Sequence, residues 1–187
     1  AILEDKLKHA AGYVENLYRN WYLTSLTGCW VRTAADGLAT LGYVSEIPKQ
    51  RDFYRRYVRP IVSKGAKAFV IISDALRYET AIELQETISR STKGMAVLES
   101  CQAEFPSITK FGMAALLPGE EIAVTENMEV LRAGMPTRST ADRQRVLMAA
   151  EPNSAAVQYQ ELLAMKRAER RALTTGQCVV YIYHNTI

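Results

Sequence analysis

Asp74, Thr109 and His184 are the side chains of this chain whose types and positions could do chemistry together. Asp74 ends the run Phe69-Val70-Ile71-Ile72-Ser73. A short apolar run rich in β-branched residues predicts a strand buried on both faces. The acid therefore falls at the carboxyl end of a core strand, the edge where open α/β sheets bind ligands. A carboxylate there is either a hard-oxygen metal ligand or a cap on the following helix, and position alone leaves both open. Thr109 lies in Pro106-Ser107-Ile108-Thr109-Lys110, the first turn of a helix predicted from Ser107 to Leu117. Ser107 is the better placed cap, which leaves the Thr109 hydroxyl freer. Local N–H groups and the dipole at a helix start favour anions, so phosphate can dock there. A hydroxyl nucleophile needs activation, and a bound divalent cation supplies it. Lys110 could steady phosphate charge or simply be solvated. His184 follows an apolar strand, Cys178 to Tyr183, and so falls at the same edge as a ligand or a structural residue. His9 sits inside a helical pattern and reads as ordinary.

The elements that must position these residues change rhythm along the chain. Residues 1–66 are helical in character. Leu3, Leu7, Ala10, Ala11, Val14, Leu17, Tyr18 and Trp21 repeat at helical spacing. Further helices are expected over about 26–41 and 50–62, the last kinked or ended by Pro60. From residue 67, strand and helix alternate. Strands are expected at 69–73, 95–101, 155–159 and 178–183, and helices at 78–91, 107–117, 140–150 and 160–173. A hairpin is expected within 127–136, turning at Gly134, and Ser139 or Thr140 caps the 140–150 helix. Such alternation predicts an α/β fold with a mostly parallel, three-layer sheet.

The 187 residues are 48% hydrophobic and 23% charged, which excludes wholesale disorder and allows one domain plus an appendage. A net charge of +3 does not by itself imply a nucleic-acid partner. Arg51, Arg55, Arg56 and Arg59, set among Phe53, Tyr54 and Tyr57, form a basic cluster that is a solvated face or a phosphate-backbone contact. Arg167, Arg170 and Arg171 read as surface. Cys29, Cys101 and Cys178 are odd in number and widely spaced, so neither a zinc ribbon nor a disulfide framework is expected and a cytoplasmic setting is favoured. No run approaches the ~18 apolar residues of a membrane helix, so no membrane is expected. A start at Ala1 inside a helical pattern and an end at Ile187 after an apolar strand read as a piece of a longer protein.

Four segments in order resemble the PglZ domain of BREX-type phage-defence systems. They are Val-Ile-Ile-Ser-Asp-Ala-Leu-Arg-Tyr-Glu at 70–79, Pro-Ser-Ile-Thr-Lys-Phe-Gly-Met-Ala-Ala-Leu-Leu-Pro-Gly at 106–119, Ser-Thr-Ala-Asp-Arg-Gln at 139–144 and Val-Val-Tyr-Ile-Tyr-His-Asn-Thr-Ile at 179–187. The resemblance spans about residues 50–187 and implies the alkaline phosphatase superfamily, which sets a metal-binding aspartate after its first core strand and a nucleophile at a helix start. The stretch from Thr109 to Gly119 is also similar to the sulfatase signature, whose nucleophile stands five residues before Ala-Ala-Leu-Leu. Counting back from Ala114 gives Thr109 rather than Ser107.

By that resemblance Asp74 and Thr109 bind one metal of a two-metal centre, and His184 supplies a nearby ligand or phosphate contact. Zinc is the first expectation, with manganese or magnesium also admitted by Asp, Thr and His ligands. The family places an acid and further Asp and His ligands after His-Asn-Thr-Ile, so the centre within these residues alone is expected to be incomplete. The expectation is an alkaline-phosphatase-type core at 67–187, truncated at its C-terminus, behind a helical segment at 1–66. Its parent would be a metal-dependent phosphodiesterase or phosphatase with Thr109 as nucleophile and Lys110 beside it. The rival expectation is a non-catalytic scaffold, or a module binding DNA or other defence proteins through the helical segment.

Overall fold

The computed structural model describes residues 2–184 and divides into two compact units, Ala1–Ile47 and Pro48–Ile187. The first unit is one helical run. Helices α1 (Ile2–Asn16) and α2 (Thr24–Leu41) are joined by a π-helical stretch, Leu17–Leu23, where a break between helices was expected. Within it Tyr18 and Tyr22, four positions apart, stack at 5.7 Å between ring centroids. Gly42 ends α2 at φ 73°, a left-handed conformation open to glycine, and its N–H bonds Leu38 O. Ala34 is the one buried residue among those described in this unit.

Residues 50–62 carry a helical pattern but belong to the second unit. They form a 3₁₀ turn (Gln50–Asp52), a π-helical turn (Tyr54–Val58) and α3 (Arg59–Val62), which Pro60 opens rather than breaks. Tyr54 and Val58 are core residues of the second unit, which begins at Pro48. The core sheet has the order β1-β6-β5, all parallel: β1 is Ala68–Ser73, β5 Ser154–Gln158 and β6 Val179–His184. Helix α4 (Tyr78–Ser91) follows β1. Next comes α5 (Thr109–Ala115), then a small antiparallel sheet of β2 (Ile122–Val124), β3 (Val130–Arg132) and β4 (Met135–Pro136). Helices α6 (Thr140–Ala150), α7 (Tyr159–Ala164) and α8 (Arg167–Thr174) complete the unit. No helix among the described residues is long and apolar enough to cross a membrane.

Two expectations are corrected. β1 is not buried on both faces. Ala68, Val70 and Ile72 enter the core with Met113, Leu117, Val146 and Tyr181, while Phe69 and Ile71 are 54% and 68% exposed. An edge strand in a sheet of three fills one side only, and two-faced burial falls to the central strand β6, where Val179, Val180 and Tyr181 are all buried in succession. The strand expected at 95–101 does not form. Met95 is 90% exposed, and the segment is met by side chains rather than by a strand: Gln85 Nε2 donates to Ala96 O at 3.1 Å and the Tyr57 hydroxyl to Glu99, while the backbone bridge to Lys49 falls beyond it at Gln102. Apolar alternation alone makes no strand without a partner edge to complete its hydrogen bonds.

Of the two expected caps, Ser139 is the one that starts helix α6, through a capping box. The Asp142 N–H donates to Ser139 Oγ at 3.0 Å, and the Ser139 N–H donates to Asp142 Oδ2 at 2.9 Å. The side-chain bond from Ser139, foremost, holds the Asp142 carboxyl below its ordinary pKa. A depressed carboxyl contributes stability above its unfolded pKa and loses it as pH falls through the folded one. Ser139→Ala is expected to lower unfolding free energy by about 1 kcal/mol at pH 7. That deficit should narrow below about pH 4. Urea denaturation at both pH values checks it.

Candidate active site

The parallel register sets the site. Ser73 pairs with His184 across β1 and β6, and the Asp74 N–H continues the ladder to His184 O at 3.0 Å. Both strands therefore end at one carboxyl edge. Immediately after Asp74 the chain turns through Ala75 at φ 62°. A non-glycine residue there costs on the order of 1 kcal/mol, a strain located beside the acid.

The third segment arrives from α5, whose start differs from expectation. Its cap residue is Ile108, with extended backbone and no side-chain cap bond, so Ser107 does not cap this helix. The Thr109 hydroxyl opens the helix and instead donates to Asp74 Oδ2 at 3.2 Å, across 35 residues of sequence. Thr109 is exposed and Asp74 half-buried. Both line a cleft of about 280 Å³ together with Ser73, Ser107, Gln50 and Glu104.

His184 stands one step back. Its Nδ1 lies 3.0 Å from Ser73 Oγ, and its ring packs edge-on against Tyr159 at 4.9 Å. It reaches the cleft wall through Ser73. Lys110 turns elsewhere: its ammonium donates to Met128 O at 3.0 Å and lines a separate cavity. Asn185 to Ile187, the end of the fourth resembling segment, lie outside the described residues.

Sequence reasoning missed Glu104, a carboxylate only 6% exposed on the cleft wall. Arg51 neutralises it through a fork, Nε donating to Oε1 at 2.7 Å and Nη2 to Oε2. The bond to Glu104 is also the main reason the Arg51 pKa is raised. The Glu104 N–H donates to Gln50 Oε1 at 3.1 Å, while the Gln50 N–H donates to Gln102 O at 2.8 Å. Residues 50–51 thus strap the 102–104 segment against α5. A buried, unpaired carboxylate would repel an anionic ligand; the guanidinium fork removes that penalty. Arg51 consequently leaves the basic cluster, and Arg55 pairs with Asp52 at 3.1 Å. Nothing in local spacing announces a pair separated by 53 positions.

Asp74 and Thr109 offer hard-oxygen donors of the kind that suit a divalent cation. Among the described residues no three His, Cys, Asp or Glu side chains gather closely enough to hold a metal ion. The donors fit in kind, but number fewer than the about four of even the smallest closed site.

An acid and a hydroxyl at the carboxyl edge of a parallel sheet are the arrangement of an α/β domain that binds its ligand there. Residues 53–187 match the family model described as the BREX system PglZ alkaline phosphatase-like domain, and the chain belongs to that family. It is 38% identical over 174 residues to the "Alkaline phosphatase-like protein PglZ" of Bacillus cereus (strain H3081.97), an overlap covering 93% of this chain and 20% of that protein. It is 37% identical over 186 residues to the "Alkaline phosphatase-like protein BrxZ" of Escherichia coli O9:H4 (strain HS), covering 97% of this chain and 21% of that protein. The chain thus spans about a fifth of the length of these relatives. No solved structure matches it.

Proposed function

We propose that this chain carries the nucleophile side of a metal-dependent phosphohydrolase, a phosphodiesterase or phosphatase acting in a bacterial phage-defence system. The observation that carries this reading is the 3.2 Å bond from Thr109 Oγ1 to Asp74 Oδ2 at the carboxyl edge of β1. Thr109 is the nucleophile. Its Oγ forms a bond to phosphorus as the bond from phosphorus to the leaving oxygen breaks, giving a phosphothreonine that water then cleaves. Asp74 receives the hydroxyl hydrogen and so fixes the direction of the Oγ lone pairs. Arg51 keeps Glu104 from opposing the phosphate's charge. His184 holds Ser73 against the cleft wall. Asp74 and Thr109 would hold a divalent cation, zinc or else manganese or magnesium, with further ligands from outside the described residues. Such an ion lowers the pKa of a bound hydroxyl and offsets phosphate charge. The family's alkaline-phosphatase-like description supports the three-layer core and this chemistry.

Titration of the protein with Zn²⁺ and Mn²⁺ tests the metal assignment. Asp74→Asn should weaken binding of one of them at least ~10-fold, the range seen on losing metal-site contacts. Equal affinity in the variant would remove Asp74 as a ligand.

A second reading rests on the first unit. Tyr13, Leu17, Tyr18, Trp21 and Tyr22 are all exposed along its helical run. Exposed aromatic surface of this extent suits docking on a partner protein, and here the partner would be another component of the defence system. In the second unit, Arg55, Arg56 and Arg59 remain exposed for a nucleic-acid backbone. The free state of Cys29, Cys101 and Cys178 suits a reducing cytoplasm.

A further inference from the structure

We infer that the cavity behind Lys110 is a mononucleotide-binding site, distinct from the Asp74 cleft. The cavity measures about 450 Å³ and shares no lining residue with that cleft. Lys110, Arg138 and Arg143 line it against a single acid, Glu129, and Met128 and Val130 give it an apolar wall.

The cations are held by different elements. Lys110 extends from α5 and is steadied by Met128 O at 3.0 Å. Arg143 extends from α6; its Nε donates to Thr137 O at 2.9 Å and its Nη2 to Arg138 O at 3.1 Å. Its guanidinium carbon lies 4.6 Å from the Tyr183 ring centroid. A guanidinium packed on an aromatic face and tied to two carbonyls is pre-organised, so little entropy is lost when a ligand arrives. Arg138 is exposed at the rim.

Size and chemistry together select the ligand. Cavities of about 300–1,000 Å³ enclose small organic molecules, whereas inorganic phosphate needs far less room. Three cations facing one carboxylate call for multiple negative charge, and guanidinium groups match phosphate oxygens in pairs. The apolar wall calls for a flat, weakly polar body attached to that charge. A nucleoside monophosphate has both parts. The inference stands apart from the hydrolytic reading, because Asp74 takes no part in this cavity.

Calorimetric titration of the 187-residue chain with AMP, adenosine and inorganic phosphate tests it. AMP should bind at least ~10-fold more tightly than either fragment. Arg138→Ala combined with Lys110→Met should weaken AMP at least ~10-fold, and Asp74→Asn should leave AMP affinity unchanged. Both residues of the double variant are exposed, so its circular dichroism should match the parent. AMP binding no tighter than phosphate would overturn the proposal, as would a folded double variant that binds AMP like the parent. Loss of AMP binding in Asp74→Asn would also overturn it, by moving the nucleotide to the other cleft.

Discussion

Thr109→Ala is expected to lower hydrolysis of a chromogenic phosphodiester by the intact protein at least ~100-fold, because it removes the atom that attacks phosphorus. A hundredfold loss is about 2.7 kcal/mol of barrier. Stability should barely change. Thr109 is exposed and, among the described residues, its side chain makes a single 3.2 Å bond, to Asp74. A bond of that kind contributes about 1 kcal/mol to folding. The separation between a large kinetic effect and a small thermodynamic one is the signature of a nucleophile rather than a cap. Thr109→Ser sharpens the test, since it retains the hydroxyl; turnover within about tenfold of the parent is expected there. Steady-state kinetics with a matched urea curve measures both quantities. Turnover by Thr109→Ala equal to the parent's would sink the covalent mechanism and leave the Asp74–Thr109 bond as a link between β1 and α5.

The edge that brings Asp74 and Thr109 together was legible because strand ends are. A β-branched run stopped by a polar pair marks the carboxyl end of β1, and a parallel partner with its own polar stop puts His184 beside it. Four features were not legible, each for a physical reason. The exposure of Phe69 and Ile71 depends on how many strands and helices cover the sheet, and no local pattern counts them. The failure of 95–101 to form a strand depends on the absence of a partner edge among the described residues. Ser107 lost the cap because the start of α5 is set by Ile108's extended backbone, and the Thr109 hydroxyl is directed to Asp74 from the far side of the cleft. Glu104 was hidden most completely. Its meaning lies wholly in Arg51, half a hundred positions upstream, and sequence spacing carries no signal for such a fork.

The Arg51–Glu104 fork itself depends on Arg132. This side chain in β3 is 0% exposed and, among the described residues, has no carboxylate partner in hydrogen-bond contact. It donates instead to three carbonyls: Leu117 O at 3.2 Å, Glu120 O at 3.5 Å and Arg51 O at 3.0 Å. One guanidinium thus ties the end of α5, the loop after it and the strap that carries Arg51. Burial, foremost, lowers its pKa, with the nearby Arg51 charge adding to the effect. Replacing a buried ion by an apolar residue can be neutral when the ion's partners leave with it. Here the partners are backbone carbonyls that stay, and each acceptor left dry costs about 1–3 kcal/mol. The retained penalty outweighs the recovered desolvation, so Arg132→Met should lower stability by about 2–4 kcal/mol. Freed of its anchor, Arg51 should also grip Glu104 less firmly, so the cleft should lose anion affinity in variant molecules that remain folded. Urea denaturation gives the first quantity, and phosphate titration under conditions where the variant is fully folded gives the second. Stability within 0.5 kcal/mol of the parent, the ordinary scatter of surface substitutions, would mean that the loop rearranges to hydrate those carbonyls and that the Arg51 strap holds without Arg132.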